Sequence, residues 1–260
     1  MALVPYIGIT DFMNREQVEA MLAVFGAHLT GGRRRRLHVG VMMSQKTLNG
    51  LPTKWADAYP PKEAIADIFS ARDPLLMRCL HYADYTAVDF WHNLSKALYW
   101  GGRGMDALQL DMVWPAPDTI AGVICDAKRS ASLEVILQIN AVAMAQVGDY
   151  PRRVVERLRA YEGVIDHVLL DKSMGRGVPL STTELLPFIR AIANAFPGLG
   201  LTVAGGLGPY TMGSIAPIVR EFPHVSIDAQ GRLRPSGDAH DPVDWRLAEQ
   251  YLVEALQLLP

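Results

Sequence analysis

Alternation constrains this chain more than any other feature. Short runs rich in Val, Ile and Leu recur along its 260 residues, and each is followed by a segment with apolar residues at helical spacing. A strand that returns to its sheet through a helix runs parallel to the one before it, so the pattern predicts βα units and a parallel sheet. In order, the strands fall at Val4–Thr10, Leu37–Met43, Leu75–Ala83, Asp106–Met112, Leu133–Asn140 and His167–Asp171. Two more begin the runs Leu201–Pro209 and Val225–Gly237. Eight strands, each backed by a helical segment and with no linker between them, close most simply into one α/β domain over residues 1–260. That domain is a single (β/α)8 barrel of the phosphate-binding type, an architecture that typically takes about 250 residues.

The helices carry their own punctuation. Asn14 is placed to cap a helix over Arg15–His28, with Val18, Met21, Leu22 and Phe25 along one face. Asp241 followed by Pro242 reads as the cap and first residue of the last helix. The basic run Arg33–Arg36 precedes the second strand, on the barrel face away from an active site, and reads as a solvated loop. The stretch 44–61, with Trp55, Tyr59 and several prolines, leaves the second strand at its C-terminal end as an extended loop. It reads equally as a lid and as an ordered loop with both rings packed down.

Charge and composition narrow the function classes. A net charge of −2 gives no electrostatic case for nucleic acid or a membrane surface as partner. No apolar run approaches the ~18 residues of a membrane helix, and no signal peptide is read at the N-terminus, so a cytoplasmic setting is expected. Cys79 and Cys125 form no metal or redox motif, and His28, His38, His92, His224 and His240 show no ligand spacing. No metal and no cofactor are expected.

In a barrel, inward residues at the C-terminal ends of strands build the site. With Asp171 inward, the period of two places His167 and Leu169 on the same side. The same alternation gives a polar mouth of Gln109 and Asp111, Gln138 and Asn140, and Ser226, Asp228 and Gln230. Buried polar groups need partners, so either a ligand or an internal network satisfies them. His81, in step with Cys79 near the end of the third strand, is an acid–base candidate and also an ordinary core histidine. Glycines just after late strands let backbone N–H groups approach an anion.

Taken together in order, IGIT (7–10), LQLD (108–111), LLD (169–171), GRG (175–177), AGGLGP (204–209), IDAQG (227–231) and PSG (235–237) resemble the strand-end motifs of the phosphoribosylanthranilate isomerase family. The resemblance spans nearly the whole chain. It implies a cofactor-free Amadori rearrangement of a phosphoribosyl-amine, with Asp171 as the general acid. Gly175, Gly177, Gly205, Gly206, Gln230 and Gly231 would lie at the phosphate. The chain also departs from that pattern: Ile7 stands where the family has its general-base cysteine, and Asp111 where it has a histidine. Ala229–Gln230 replaces its paired serines, and Lys46 lies where its carboxylate-binding arginine is expected.

Three readings follow. The first is a divergent isomerase of a small phosphorylated sugar derivative, with Asp111 as substitute base. The second is a genuine phosphoribosylanthranilate isomerase of tryptophan biosynthesis with a replaced base. The third is a non-catalytic barrel that binds a phosphorylated metabolite. The sequence leaves open whether the chain forms a homodimer.

Overall fold

The computed structural model describes residues 3–32, 34–56, 58–128, 133–173, 181–238 and 240–260. Strands β1 (Tyr6–Thr10), β2 (Arg36–Ser44), β3 (Leu76–Ala83), β4 (Ala107–Asp111), β5 (Glu134–Asn140), β6 (His167–Asp171), β7 (Gly200–Ala204) and β8 (Ser226–Ala229) pair in chain order. All are parallel, and β8 closes on β1, so the chain is a (β/α)8 barrel as expected. The helices of the outer ring are α1 (Arg15–His28), α2 (Gln45–Leu48), α3 (Ile65–Ile68), α4 (Phe90–Gly101), α5 (Pro117–Asp126), α6 (Ala141–Gln146), α7 (Pro151–Leu158), α8 (Thr182–Ala195), α9 (Ala216–Glu221) and α10 (Trp245–Leu258). Among the described residues no helix is long and apolar enough to cross a membrane.

Local chemistry sets the element limits. Asn14 accepts from the Gln17 backbone N–H while the Gln17 side chain accepts from Asn14, a reciprocal cap that starts α1 at Arg15. The helix then buries Val18, Met21 and Phe25 against the barrel, each worth about 1.5–3 kcal/mol. For α10 the expected cap is corrected. Asp244, not Asp241, accepts from the Arg246 N–H, and the helix starts at Trp245, beyond Pro242.

Strand alternation separates two environments. The outward residues Ile7, Ile9, Val39, Val41, Leu110, Ile139, Val203 and Ile227 join the helices in one large apolar cluster. The inward residues Tyr6, Met77, Cys79, Ala107, Ile136, Leu169 and Ala204 form a separate, smaller one. Polar side chains occupy the rest of the interior. At its base Arg36 donates to both Glu134 oxygens at 2.7 and 2.8 Å, and His167 Nε2 lies 2.8 Å from Glu134 Oε2. A Cβ on Gly200 would fall 2.0 Å from His167 Nδ1, so β7 needs a glycine there for the imidazole to fit.

Of the basic run, Arg33 lies outside the described residues and Arg34 is exposed as expected, but Arg35 and Arg36 are not part of a solvated loop. Arg35 is 2% exposed, and its guanidinium donates to the carbonyls of Val225, Pro223 and Pro260. Its five fixed donors satisfy carbonyls at the closing end of the chain that no strand reaches. After β2, the short helix α2 is held by Ser44 and Thr47 in a second reciprocal cap. Farther along this loop Trp55 stacks on Tyr59 and on His240, so the loop is fastened to the segment after β8.

Candidate active site

The C-terminal ends of the strands carry five aspartates: Asp11, Asp84, Asp111, Asp171 and Asp228. Register explains their convergence, because inward neighbours lie beside each other around the barrel. Asp228 pairs with Gly8 on one side and Ala204 on the other; Asp171 pairs with Asn140 and Ala204; Asp111 pairs with Ala83 and Gln138. The small residues beside Asp228 leave room for its carboxyl group.

Asp171 is buried, and its Oδ1 accepts from the Ser173 N–H and hydroxyl, both at 2.7 Å. Gly205 has φ +100, and a Cβ there would meet Asp171 Oδ1 at 2.7 Å and Ser173 Oγ at 2.8 Å. Glycine is therefore required at this turn by backbone geometry and by close approach. Asp228 is deeper. The Thr10 hydroxyl lies 3.1 and 3.2 Å from its two oxygens. Burial pushes its carboxyl up to about 7; the Thr10 hydrogen bond opposes this, and the charges of Asp11 and Asp171 add to it.

Asp11 belongs to a structural clamp. Its backbone is held at φ +90, and its carboxylate pairs with buried Arg234 and accepts from Gln230 Nε2 at 3.0 Å. Burial raises its pKa against the opposing pull of Arg234. Gln230, Arg234 and Asp11 thus tie the turn after β8 to the turn after β1. Asp84 caps its own turn, accepting from the Thr86 N–H and hydroxyl and from the Ala87 N–H.

Asp111 accepts from the Tyr85 hydroxyl at 2.6 Å and from Asn140 Nδ2 at 3.1 Å. Burial raises its pKa, against both hydrogen bonds. Gln109 Nε2 donates to Gln138 Oε1 at 2.8 Å and lies 3.3 Å from His81 Nδ1. Burial lowers His81 to about 4, so at neutral pH it is an uncharged imidazole.

Two connected spaces result. An outer cleft of about 610 Å³ is walled by Trp55, Tyr59 and Tyr85, with Lys46 and Lys54 on its rim and Asp111, Gln138 and Asp171 on its floor. An inner pocket lies between the ends of β6, β7 and β8, where Asp171, Asp228, Gly205, Gly206, Gln230 and Gly231 meet His81 and Gln109. Among the described residues no cluster of His, Cys, Asp or Glu has the arrangement to hold a metal ion.

The structure thus brings together Asp111, Asp171, Gly205, Gly206, Gln230, Gly231, Lys46, His81, Gln109, Gln138 and Asp228, and sets Asn140 beside Asp111. Gly175 and Gly177 lie outside the described residues. Ile7 is corrected: it is fully buried in the outer apolar cluster, and Gly8 is the inward residue. The parity of a five-residue strand turns on one residue, and Ile7 and Ile9 both satisfy the helix-facing layer. His38 lies near the start of β2. It is an interior side chain, fully buried and stacked on Tyr6 at 4.8 Å. Thr10, Tyr85, Ser173 and the Asp11–Arg234 pair were not singled out from the sequence. For Thr10 the signal was available, since it is in step with Gly8 on the first strand.

Fold and site together define a class: a closed (β/α)8 barrel whose polar mouth is built from strand-end carboxylates and late glycine turns. No protein-family profile matches the sequence, and no curated relative does. Solved structures are similar in fold. Phosphoribosyl anthranilate isomerase from Thermus thermophilus shares 16% identity over 97% of this chain and 99% of that one, with a TM-score of 0.60. The enzyme of the same name from Thermotoga maritima shares 18% over 98% and 100%, with a TM-score of 0.58. A phosphoribosyl anthranilate isomerase in complex with reduced 1-(o-carboxyphenylamino)-1-deoxyribulose 5-phosphate shares 18% over 98% and 100%, with a TM-score of 0.55. The chain therefore has the same barrel fold as phosphoribosyl anthranilate isomerases, matched end to end.

Proposed function

We propose that this protein isomerises a phosphorylated sugar amine by general acid–base catalysis without a cofactor. One observation carries the reading: Asp171 and Asp228 face one inner pocket, beside the glycines at the ends of β7 and β8. Two carboxyl groups facing one ligand can divide the acid and base roles between them. Asp171 protonates the ring oxygen and opens the furanose; ionised Asp228 then takes the C2 proton, and the resulting enol-amine becomes the ketone as C1 gains a proton and the C2 hydroxyl loses one. An affinity near 7 suits Asp228 to accept and return a proton at physiological pH.

The base role passes from Asp111 to Asp228 in this reading, because Asp228 shares the inner pocket with Asp171 and the late glycine turns, whereas Asp111 lines the outer cleft. Asp111 instead orients the amine end of the substrate against the aromatic wall of the outer cleft. Backbone N–H groups around Gly205, Gly206 and Gly231, with the Gln230 amide, hold the phosphate, as positive-φ and buried glycines permit. Lys46 and Lys54 supply positive charge at the rim for an acidic substituent.

The test is turnover of phosphoribosylanthranilate together with exchange of the C2 proton in deuterated water. Turnover lost at least 100-fold in both Asp171→Asn and Asp228→Asn supports the assignment, since general acid–base groups contribute about 10²–10⁴-fold. Full activity in either variant refutes that residue's role. Saturable binding of the substrate without C2 exchange refutes the enzyme reading.

A further inference from the structure

Among the buried titratable groups that the mechanism leaves unused, one lies beneath the mouth without hydrogen-bond partners. His38 projects into the barrel from β2, fully buried, with its ring stacked on Tyr6. The stack covers a face of the imidazole but does nothing for the nitrogens on its edge. Among the described residues neither Nδ1 nor Nε2 has a hydrogen-bond partner. The other interior imidazole of the barrel base, His167, has Nε2 engaged by Glu134 and only Nδ1 without a partner.

Gly8 shows where His38 is aimed. A Cβ on that residue would fall 2.5 Å from Asp228 Oδ1 and 3.0 Å from His38 Nδ1. The carboxyl group and the imidazole edge therefore converge on one point above β1, which only glycine leaves open. Asp228 in turn has partners for its ionised form in the Thr10 hydroxyl and the Ala229 N–H. A carboxyl group that takes up and releases a proton while buried also needs a neighbour able to accept as well as donate. A neutral imidazole with both nitrogens uncommitted meets that need through its choice of tautomer.

We propose that His38 is the positioning partner of Asp228, donating Nδ1–H to the carboxylate when Asp228 is ionised and accepting from the carboxyl O–H when it is protonated. On protonation an O–H bond forms on Asp228 with the proton taken from the substrate's C2–H or from water. The imidazole returns its Nδ1 proton to water and takes one at Nε2, so the pair gains one proton in all. The imidazole stays neutral throughout. Its surroundings favour this, since burial and the neighbouring His81, Arg36 and His167 hold it down to about 3. The groups facing Asp228 are Thr10 and Asp11 from β1 and its turn, Asp171 from β6, and Tyr6 and Cys79 from the barrel core, with Tyr251 of α10 on the outside. Of these, His38 adds the only uncommitted ring nitrogens among the described residues around Gly8.

The inference rests on Asp228 as the proton carrier, but its test needs no turnover. Wild-type protein labelled with 15N in histidine and 13C in aspartate carboxyls is titrated by NMR from pH 5 to 9. The expected result is that His38 Nδ1 moves from the protonated to the unprotonated range, and Nε2 the reverse, with the same midpoint as the Asp228 carboxyl carbon. In Asp228→Asn that exchange is lost and one tautomer persists across the range. A His38 tautomer that stays fixed while wild-type Asp228 titrates overturns the proposal, as does double protonation of the ring. Failure to turn over phosphoribosylanthranilate refutes the functional reading and leaves this result standing.

Discussion

Replacing Asp228 with Asn should stabilise the protein, and by an amount that grows with pH. The folded carboxyl binds its proton up to about 7, against 3.8 for an unperturbed aspartate. The folded state therefore holds more protons than the unfolded chain between those values. Asp228's stabilising contribution is complete below the unfolded pKa and is lost as pH rises through the folded one. At about 1.4 kcal/mol per pH unit, the whole interval amounts to about 4 kcal/mol. Asparagine keeps the size of the side chain and carries no charge, so it escapes this loss. His38, held neutral to about 3, contributes a slope of opposite sign below its unfolded 6.5. Above pH 6.5 it is neutral in both the folded and the unfolded state, so the difference between the two proteins there belongs to residue 228. Urea unfolding of wild type and Asp228→Asn at pH 4.5, 6, 7.5 and 8.5 measures that difference directly. The mutant's advantage should be small at pH 4.5 and approach about 4 kcal/mol above pH 8. A difference that stays constant from pH 4.5 to 8.5 would mean that Asp228 ionises normally in the folded protein, and its role as a proton carrier near neutrality would fall.

Three further outcomes are expected. Arg234→Met, which strands the Asp11 carboxylate at 3% exposure, should cost about 3–5 kcal/mol of stability in urea unfolding; a loss under 1 kcal/mol would show that the clamp is dispensable. Gly8→Ala places a methyl group 2.5 Å from Asp228 Oδ1 and should lower stability by about 1–3 kcal/mol, while an unchanged urea midpoint would contradict the close approach over β1. Burial pushes Glu134 up, but the hydrogen bonds from His167 and Arg36 outweigh it and bring the carboxyl to about 2. Its contribution is therefore present above 4.5 and lost as pH falls toward 2, about 3 kcal/mol in all. Glu134→Gln should remove that part of the acid unfolding slope, and an unchanged acid midpoint would refute it.

Period and punctuation were enough to read the barrel. Eight apolar runs each followed by helical spacing, the Asn14 cap, and the in-step pairs Gln109/Asp111 and Gln138/Asn140 are local patterns, and local patterns survive in a linear string. The polar mouth was legible for the same reason, once Asp171 set the inward side of β6. On β1 that logic had no anchor. Ile7, Gly8 and Ile9 are all compatible with either parity, and only packing against the helices turned Ile7 outward and Gly8 in.

Distance along the chain hid the rest. Arg234 finds Asp11 across 223 residues, and Arg35 finds the Val225 carbonyl across 190. No spacing rule encodes such pairs. The sequence alone determined that a parallel barrel would form and which strand ends would be polar, because alternation and propensity act between near neighbours. Tertiary structure alone decided which basic residues are buried, that His38 lies beneath Asp228, and which carboxyl groups burial pushes up. Those outcomes depend on desolvation and on partners that meet only when the barrel closes.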